Sequence, residues 1–492
     1  MTELAEPQQV RAGRKKRLTE WSARELARAI ASRQLTSREV VQEHILMLER
    51  NKNLGAIARG RFAEALADAE RADDFLASAH RDTPIPPLCG VPFTVKEFIA
   101  VRGLPNSAGF PHRRNVIPEE DAPAIARLRA AGGIVLGVTN SAGPVFWMET
   151  YNPLYGRVNN PYDLSRTAGG SSGGDGAAVA CGGSPVSIGS DLGGSLRIPA
   201  FFNGVFAHLP SVGLVPTTGH FPMANGDARR TLFLGPVARR AEDLHLVLKI
   251  IGGPHASDPV SALMPLGDPE NVSLAGLRVV LATGATLTKP RADLETARFL
   301  AGRMLEAQGA QVTEVSLPSL RWTIAQALAA LSSSLDFASI VAEIVGASNT
   351  ANPSALRSLA TAPVALLRLA EAAPARRLRT RAARRLVDGA QKAADHLTDL
   401  LGDGALLFPP FPRLAPRHFT TYGQPWLASN TIVFNILGLP VTQVPTGLNS
   451  SGLPLGLQVA AAPGNDHVAL RIALALETGL GGWSPPARRV EY

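Results

Sequence analysis

The chain has 492 residues, of which 45% are hydrophobic and 18% are charged, a balance typical of a globular protein in water. Its net charge of +8 would favour acidic partners, but the basic residues are spread widely and no nucleic-acid-binding motif occurs, so nucleic acid is not an expected partner. Residues 1–20 lack the apolar segment of a signal peptide, and no apolar run is long enough to span a membrane. We therefore expect a soluble, cytoplasmic protein.

Capping signals predict the first helices. Ser22 with Glu25, and Thr36 with Glu39, form capping-box patterns, and apolar residues recur after them at helical spacing. The predicted helices are two within 22–50 and a third over 61–78.

Residues 90–96 alternate apolar and polar side chains, which predicts a strand. Its valines and Phe93 would share one face, while Thr94 and Lys96 share the other. A helix over 121–131 then leads into a strand over 133–138. This alternation of helix and strand is typical of an α/β fold.

Further along the chain, the same signals predict strands at 277–283, 310–316, 405–408 and 455–461, and helices at 291–308 and 467–478. The block from about 320 to 400 is rich in Ala and Arg and is predicted to be a helical, cap-like insertion. Neither a repeat nor a linker is apparent, which favours a single domain over 21–486 with tails at 1–20 and 487–492.

Within that block, an apolar stretch at 363–370 precedes several arginines between 376 and 385. Such a segment fits weak peripheral contact with an anionic membrane surface. An amphipathic helix whose apolar side packs on the core is the favoured interpretation, because such helices are common.

A glycine- and serine-rich run between Gly169 and Pro199 is the most informative chemical signal. So many glycines would weaken an ordinary helix or strand, but they let the backbone approach a ligand closely. Ser195 follows Asp-Leu-Gly-Gly, whose backbone N–H groups could form an anion-binding nest beside a nucleophile. An incidental serine in a glycine turn is the alternative.

Ser171 lies in Gly-Gly-Ser-Ser-Gly, which fits the nucleophile elbow of the α/β-hydrolases. An elbow requires a strand before the serine, whereas residues 159–168 have the composition of a loop. We therefore consider an α/β-hydrolase a weak rival. Because the run contains no histidine, lysine becomes the candidate base.

Lys96 is that candidate. A lysine acts as a base at neutral pH only where burial lowers its pKa from about 10.4. The apolar residues of its strand would provide burial, and strand alternation would direct Glu97 to the opposite face. A lysine on the surface of a strand is the alternative.

Metal and cofactor sites are not predicted, because neither a metal-binding motif nor a phosphate-binding loop occurs. His112, His208 and His220 are interpreted as structural rather than catalytic.

The stretch GGSSGGDGAAVA…GSDLGGSLRIPA resembles the signature of the amidase signature family, and GVPFTVKE resembles the segment that carries that family's catalytic lysine. The similarity runs from about Trp21 to Trp483. Segments such as RIPAFFNGVF and GLPVTQVPTGLNSSGLPLGLQVAA are most similar to the fatty acid amide hydrolase branch, its type 2 group in particular. The resemblance implies an α/β fold with a large, mixed, twisted central sheet and helices on both faces.

The resemblance also implies a serine amidase that hydrolyses a carboxamide to acid and amine through an acyl-enzyme. Ser195 matches the nucleophile, Ser171 the bridging serine on a cis peptide bond, and Lys96 the general base. The family's oxyanion hole matches the backbone of Leu192, Gly193 and Gly194.

The sequence departs from the family's pattern at two places, so the resemblance does not imply the residues of the substrate pocket. Asp175 stands where many members have serine, and residues 208–211 replace a more usual lysine-containing stretch; neither is expected to touch the triad. Residues 144–151 are interpreted as a wall of the acyl pocket, with Val145 and Met148 facing it, and ordinary core is the alternative.

Several functional alternatives stay open at this point. The substrate could be a fatty acid amide or an aryl amide, and the chain could form a homodimer. The alternative function is the glutamine amidotransferase subunit of a tRNA-dependent complex, which shares the triad. The intact Lys96, Ser171 and Ser195 argue against an inactive scaffold.

Overall fold

The computed structural model describes residues 16–143, 147–223, 226–322 and 381–487. The first half contains α1 (Ala23–Ala31), α2 (Ser37–Arg50), β1 (Ile57–Gly60), α3 (Phe62–Ser78), β2 (Pro92–Lys96), α4 (Pro123–Ala130), β3 (Ile134–Thr139), β4 (Tyr151–Asn152), β5 (Gly156–Arg157), α5 (Gly173–Ala180), β6 (Val186–Asp191), α6 (Arg197–Phe202), β7 (Phe206–Leu209), β8 (Phe233–Ala238) and α7 (Ala241–Ile251). The second half contains β9 (Arg278–Thr283), α8 (Ala292–Ala307), β10 (Gln311–Ser316), α9 (Arg381–Leu401), β11 (Ala405–Phe408), α10 (Ser429–Leu437), β12 (Val441–Leu448), β13 (Pro454–Ala461) and α11 (Asp466–Leu480).

In the described part of the chain, eleven strands form one sheet in the order β1-β3-β2-β6-β8-β7-β12-β13-β11-β9-β10. Strand β2 runs parallel to both β3 and β6, and β9 runs parallel to both β10 and β11. The strands from β8 to β13 in this order are joined by antiparallel pairs. The predicted α/β fold with a large mixed sheet is confirmed.

Strand β2 illustrates how the sheet is covered on both faces. Phe93 and Val95 join the largest apolar cluster, to which α1 and α4 contribute. On the other face, Thr94 donates a hydrogen bond of 2.9 Å to Ser187 of β6, and α5 packs against both strands. Lys96, at the end of β2, is consequently fully buried.

The two predicted capping boxes are present. Ser22 accepts a hydrogen bond from the backbone N–H of Glu25, whose carboxylate accepts the backbone N–H of Ser22 in return. Thr36 and Glu39 form the same reciprocal pair at the start of α2. The predicted helices therefore begin at the expected residues, because their first backbone N–H groups have side-chain acceptors.

The glycine-rich run is more regular than its composition predicts, since it contains α5, β6 and the start of α6. Packing explains the difference. A Cβ on Gly174 would fall on the backbone carbonyls of Asn140 and Ala56, so only glycine lets α5 lie this close to the sheet. The close approach buries every residue of the helix, which offsets the low helix propensity of glycine.

The helical block is described only in part. Its described portions are the turn Pro318–Trp322 and helix α9, which is helical as predicted. Residues 323–380 lie outside the described residues, and so do the apolar stretch at 363–370 and the side chains of the arginines that follow it. The membrane hypothesis and the division into one domain with two tails stay predictions.

Two further observations concern membranes and cysteines. Within the described ranges, no helix combines the length and the hydropathy that a membrane span requires. Cys89 and Cys181 are both free thiols.

We predict that Gly174→Ala destabilises the protein by about 1–3 kcal/mol, because the added methyl group must displace backbone rather than a side chain. Chemical unfolding monitored by circular dichroism would measure the loss. Gly479→Ala is the matched control: its Cβ would meet only the side chain of Met304, which can move aside. Equal losses in both variants would contradict a backbone clash at Gly174.

Candidate active site

Lys96 lies at the carboxyl end of β2, between β3 and β6, which both run parallel to it. Side chains at the carboxyl ends of adjacent parallel strands share one edge of the sheet, where ligand sites of α/β proteins usually form. The Lys96 Nζ lies 2.6 Å from Ser171 Oγ, 3.0 Å from Ser190 Oγ and 3.5 Å from the Ser190 carbonyl oxygen. The predicted contact between the lysine and the first serine is therefore present.

Burial sets the charge of this lysine. Loss of solvent lowers the pKa of Lys96 from its ordinary value to about 7, although Asp175 and Asp191 act in the opposite direction. The centroid of the Phe98 ring lies 4.6 Å from Nζ. A substantial fraction of Lys96 is therefore neutral at physiological pH, as a general base requires.

Glu97 does not pair with Lys96. Its Oε1 accepts hydrogen bonds from the backbone N–H and the hydroxyl of Ser107, at 2.6 and 2.5 Å. Burial raises the pKa of Glu97 to about 7, in spite of these donors. The expected separation of the two neighbouring side chains is confirmed.

Asp175 is closer to the site chemistry than the sequence suggested. Its Oδ1 accepts hydrogen bonds from Thr139 at 2.8 Å and Ser187 at 2.5 Å. Burial raises the pKa of Asp175 to about 6, while these donors and the charge of Lys96 oppose the rise. Asp175 makes no hydrogen bond to the predicted triad among the described residues, but it belongs to the electrostatic surroundings of Lys96.

Ser171 lies two residues before the first residue of α5, whose N-cap is Ser172. The peptide bond between Gly170 and Ser171 is cis, as the resemblance implies. The residue before the serine must be small, because a Cβ on Gly170 would fall on the backbone of Trp147 and Glu149. Residues 161–170 contain no strand, so the strand that a nucleophile elbow needs is missing before Ser171.

The loop that carries Ser195 is organised by Asp191. The Asp191 carboxylate accepts the backbone N–H groups of Gly193, Gly194 and Leu196, at 3.1, 2.6 and 3.1 Å. Arg197, which is fully buried, forms an ion pair with the same carboxylate at 3.1 Å. Burial alone would raise the pKa of Asp191, but Arg197 outweighs it and the pKa falls to about 2. The carboxylate is therefore charged at neutral pH.

The arginine carries this network into the C-terminal third of the chain. Arg197 donates hydrogen bonds to the Thr431 carbonyl, the Asn435 side chain and the Gln458 side chain. Asn435 in turn donates to Asp191 at 2.9 Å. Through these contacts with Arg197 and Asp191, helix α10 and strand β13 stabilise the loop that carries Ser195.

The predicted site residues are not all in contact. Ser195 is half-buried, and within the described part of the chain its hydroxyl makes no hydrogen bond to Ser171 or Lys96. The backbone joins the two segments, since the N–H of Ser172 donates to the carbonyl of Ser195 at 3.1 Å. Ser195 therefore lies against the residue that follows Ser171, and among the described residues no hydrogen bond joins the hydroxyls of Ser195 and Ser171.

The predicted oxyanion hole is partly occupied by the protein itself, because the N–H groups of Gly193 and Gly194 donate to Asp191. Their assignment, with Leu192, stays a prediction. Val145 lies outside the described residues. Met148 is buried in an apolar cluster with Phe201 and Phe411, and its role in an acyl pocket also stays a prediction.

Two residues at this site, Ser190 and Asn435, were not predicted from the sequence. Ser190 lies one residue before Asp191, and its hydroxyl contacts Lys96 and the ring of His220. Asn435 reaches the site from 244 residues away. Asp191, just before the glycines, was a usable signal for a residue that anchors the loop, but no local pattern indicated Asn435.

Among the described residues, no group of three or more His, Cys, Asp or Glu side chains could hold a metal ion.

A family model and individual known proteins match nearly the whole chain. The family model described as Amidase matches residues 39–470. Fatty-acid amide hydrolase 2-A of Danio rerio is 37% identical, over 95% of this chain and 90% of its own. A glutamyl-tRNA(Gln) amidotransferase subunit from Anaeromyxobacter sp. (strain K) is 32% identical, over 96% of this chain and 98% of its own.

The solved structures extend this likeness to the whole fold. An inhibitor-bound member of a vestigial complex, linked to the origins of an s-triazine catabolic enzyme, superposes with a TM-score of 0.82 at 27% identity. The match covers 94% of this chain and 100% of that one.

We predict that Asp191→Asn destabilises the protein by about 3–5 kcal/mol, because it leaves the buried Arg197 charge without a counter-ion. Denaturant unfolding at pH 7 would measure the loss. Arg303→Gln is the control, since it removes one partner of the exposed pair with Glu306 and should cost less than about 1 kcal/mol. A loss as small in Asp191→Asn as in the control would refute the anchoring role of the carboxylate.

Proposed function

The chain belongs to the amidase signature family, and we propose that it hydrolyses carboxamides through an acyl-enzyme on Ser195, with Lys96 as the base and Ser171 as the proton relay. That the protein is a serine amidase follows from its family and its relatives. The observation that carries the assignment of roles is the 2.6 Å contact between a buried Lys96 Nζ and Ser171 Oγ. A lysine in that position accepts a proton only when it is neutral, and burial lowers its pKa far enough to leave a substantial neutral fraction.

The first half of the reaction forms the ester. Ser195 Oγ attacks the amide carbon while its proton passes to Ser171 Oγ, and the Ser171 proton passes to Lys96 Nζ. The tetrahedral intermediate then collapses, the C–N bond breaks, and the ammonium of Lys96 returns the proton through Ser171 to the departing amine. This sequence requires a hydrogen bond from the Ser195 hydroxyl to Ser171, which is not formed among the described residues.

The second half consumes one water. Water gives its proton along the same path, and its oxygen attacks the ester carbon. The acid leaves, and Ser195 recovers its proton through Ser171. Backbone N–H groups of the Asp191–Ser195 loop are the proposed donors to the oxyanion in both halves.

The substrate class that we propose is a fatty acid amide, with aryl amides as simpler probes. The proposal rests on the 37% identity to a fatty-acid amide hydrolase 2-A. The amidotransferase alternative is not favoured, because its relatives are less similar to this chain. Hydrolysis by the purified chain alone, without tRNA or partner subunits, across amides from acetyl to long-chain acyl would test the proposal. Strict dependence on a second protein would instead support the alternative.

We predict that Ser195→Ala reduces turnover by at least about 1000-fold without a change in melting temperature, because it removes the nucleophile. A fluorophosphonate should label Ser195 in the wild type, as peptide mass spectrometry would show, and should not label the variant. Residual activity near the wild-type value would exclude Ser195 as the nucleophile. Labelling at Ser171 would revive the nucleophile-elbow interpretation.

We predict that kcat/KM for an amide rises with pH through about 7, because the neutral form of Lys96 is the base. Lys96→Met should abolish this rise, and high pH should partly restore ester hydrolysis, since an alkoxide leaving group needs less protonation than an amine. Rates measured from pH 5 to 10 would decide. A wild-type profile that is flat below pH 10 would contradict a lysine base of lowered pKa.

A further inference from the structure

His220 lies in the segment between β7 and β8 and is almost completely buried. Each of its ring nitrogens has one partner. Nδ1 lies 2.9 Å from the Pro222 carbonyl oxygen, and Nε2 lies 2.9 Å from Ser190 Oγ. The edge of the ring also contacts Phe98, the aromatic side chain that packs on Lys96 Nζ.

These two partners determine where the imidazole carries its hydrogen. A carbonyl oxygen can only accept, so the Nδ1 facing Pro222 must be protonated. Burial is the larger of the two causes that lower the pKa of His220 to about 3, and the ammonium form of Lys96 is the other, so the ring is neutral. Nε2 is therefore an acceptor, and the Ser190 hydroxyl must donate its single hydrogen to it.

The same reasoning fixes the orientation of Lys96. A neutral amine has two N–H groups and one lone pair. Two of the three oxygens around Nζ belong to Ser190: its carbonyl, which can only accept, and its hydroxyl, whose hydrogen is engaged by His220. In the neutral form, both N–H groups are therefore directed to Ser190, 3.0 Å from its hydroxyl and at a longer 3.5 Å from its carbonyl. The lone pair is left for Ser171 Oγ, at 2.6 Å.

We propose that His220 is a positioning residue for the amidase reaction: it holds the hydroxyl hydrogen of Ser190 away from Lys96, so that the lone pair of the base faces Ser171. This inference rests on the proposed roles of Lys96 and Ser171. Without an acceptor at position 220, the Ser190 hydroxyl rotates and donates to Lys96 Nζ, 3.0 Å away. The lone pair is then occupied, and Ser171 loses its proton acceptor.

A double-mutant cycle separates this role from a merely structural one. His220→Leu should lower kcat about tenfold with little change in KM, because a step after binding is impaired. The rate of fluorophosphonate labelling at Ser195 should fall in parallel. In a Ser190→Ala background, no hydroxyl remains to misdirect, so His220→Leu should have no further effect on either rate. An equal loss in both backgrounds would overturn the proposal.

His220→Gln provides the conservative rescue. Its amide nitrogen can donate to the Pro222 carbonyl, which leaves the amide oxygen to accept from Ser190, as Nε2 does. We expect kcat within about threefold of the wild type. His208→Gln is the matched control, because His208 is also buried but contacts Thr442 and Asp466 instead. His208→Gln should lower the melting temperature, and its effect on kcat should be the same with and without Ser190→Ala.

A measurement on the wild-type protein does not depend on whether the variants fold. Nitrogen-15 histidine NMR, with His220 assigned by comparison with His220→Gln, should show hydrogen on Nδ1 and none on Nε2 from pH 6 to 8. Hydrogen on Nε2 would overturn the proposal. These outcomes are distinct from failure of the proposed function, which would appear as activity or labelling that survives Ser195→Ala.

Discussion

The Asp191 carboxylate binds three backbone N–H groups, the Arg197 guanidinium and the Asn435 amide. A charge buried this deeply is tolerated only when nearly all of its hydrogen-bonding capacity is used. The arrangement gives the Ser195 loop a conformation that a glycine-rich sequence would not hold by itself, because glycine has the largest backbone entropy to lose on folding. The position of the proposed nucleophile depends on this one anion.

The pairing of Asp191 with Arg197 also affects the protonation of Lys96. A carboxylate in direct contact with the amine would keep it protonated and useless as a base. Asp191 is instead engaged by Arg197, and Asp175 is engaged by Thr139 and Ser187. The partners left to Nζ are oxygens of Ser171 and Ser190, which stabilise the ammonium less than an anion would.

Local signals in the sequence predicted the first helices of the chain well and the strands in the middle of the sheet poorly. The helices after Ser22 and Thr36 were found because capping is a property of four consecutive residues. Strands β6 and β8 were not recognised, because Gly189 and Pro236 interrupt them and proline is unusual inside a sheet. The pairing of Lys96 with Ser171 came from a family resemblance, and the contacts of His220 depend on chain folding that no spacing encodes.

The Arg197 contacts also determine when the site can form during synthesis. Arg197 bonds to Asn435 and Gln458, which follow it by 238 and 261 residues. A ribosome-bound chain that ends before α10 has the proposed nucleophile, relay and base, but it lacks Thr431, Asn435 and Gln458, which accept hydrogen bonds from this guanidinium. Contacts of such long sequence separation form late, after the costly closure of large loops. Nascent fragments therefore contain an incomplete site, and the hydrolase becomes competent only when nearly all of the chain has emerged.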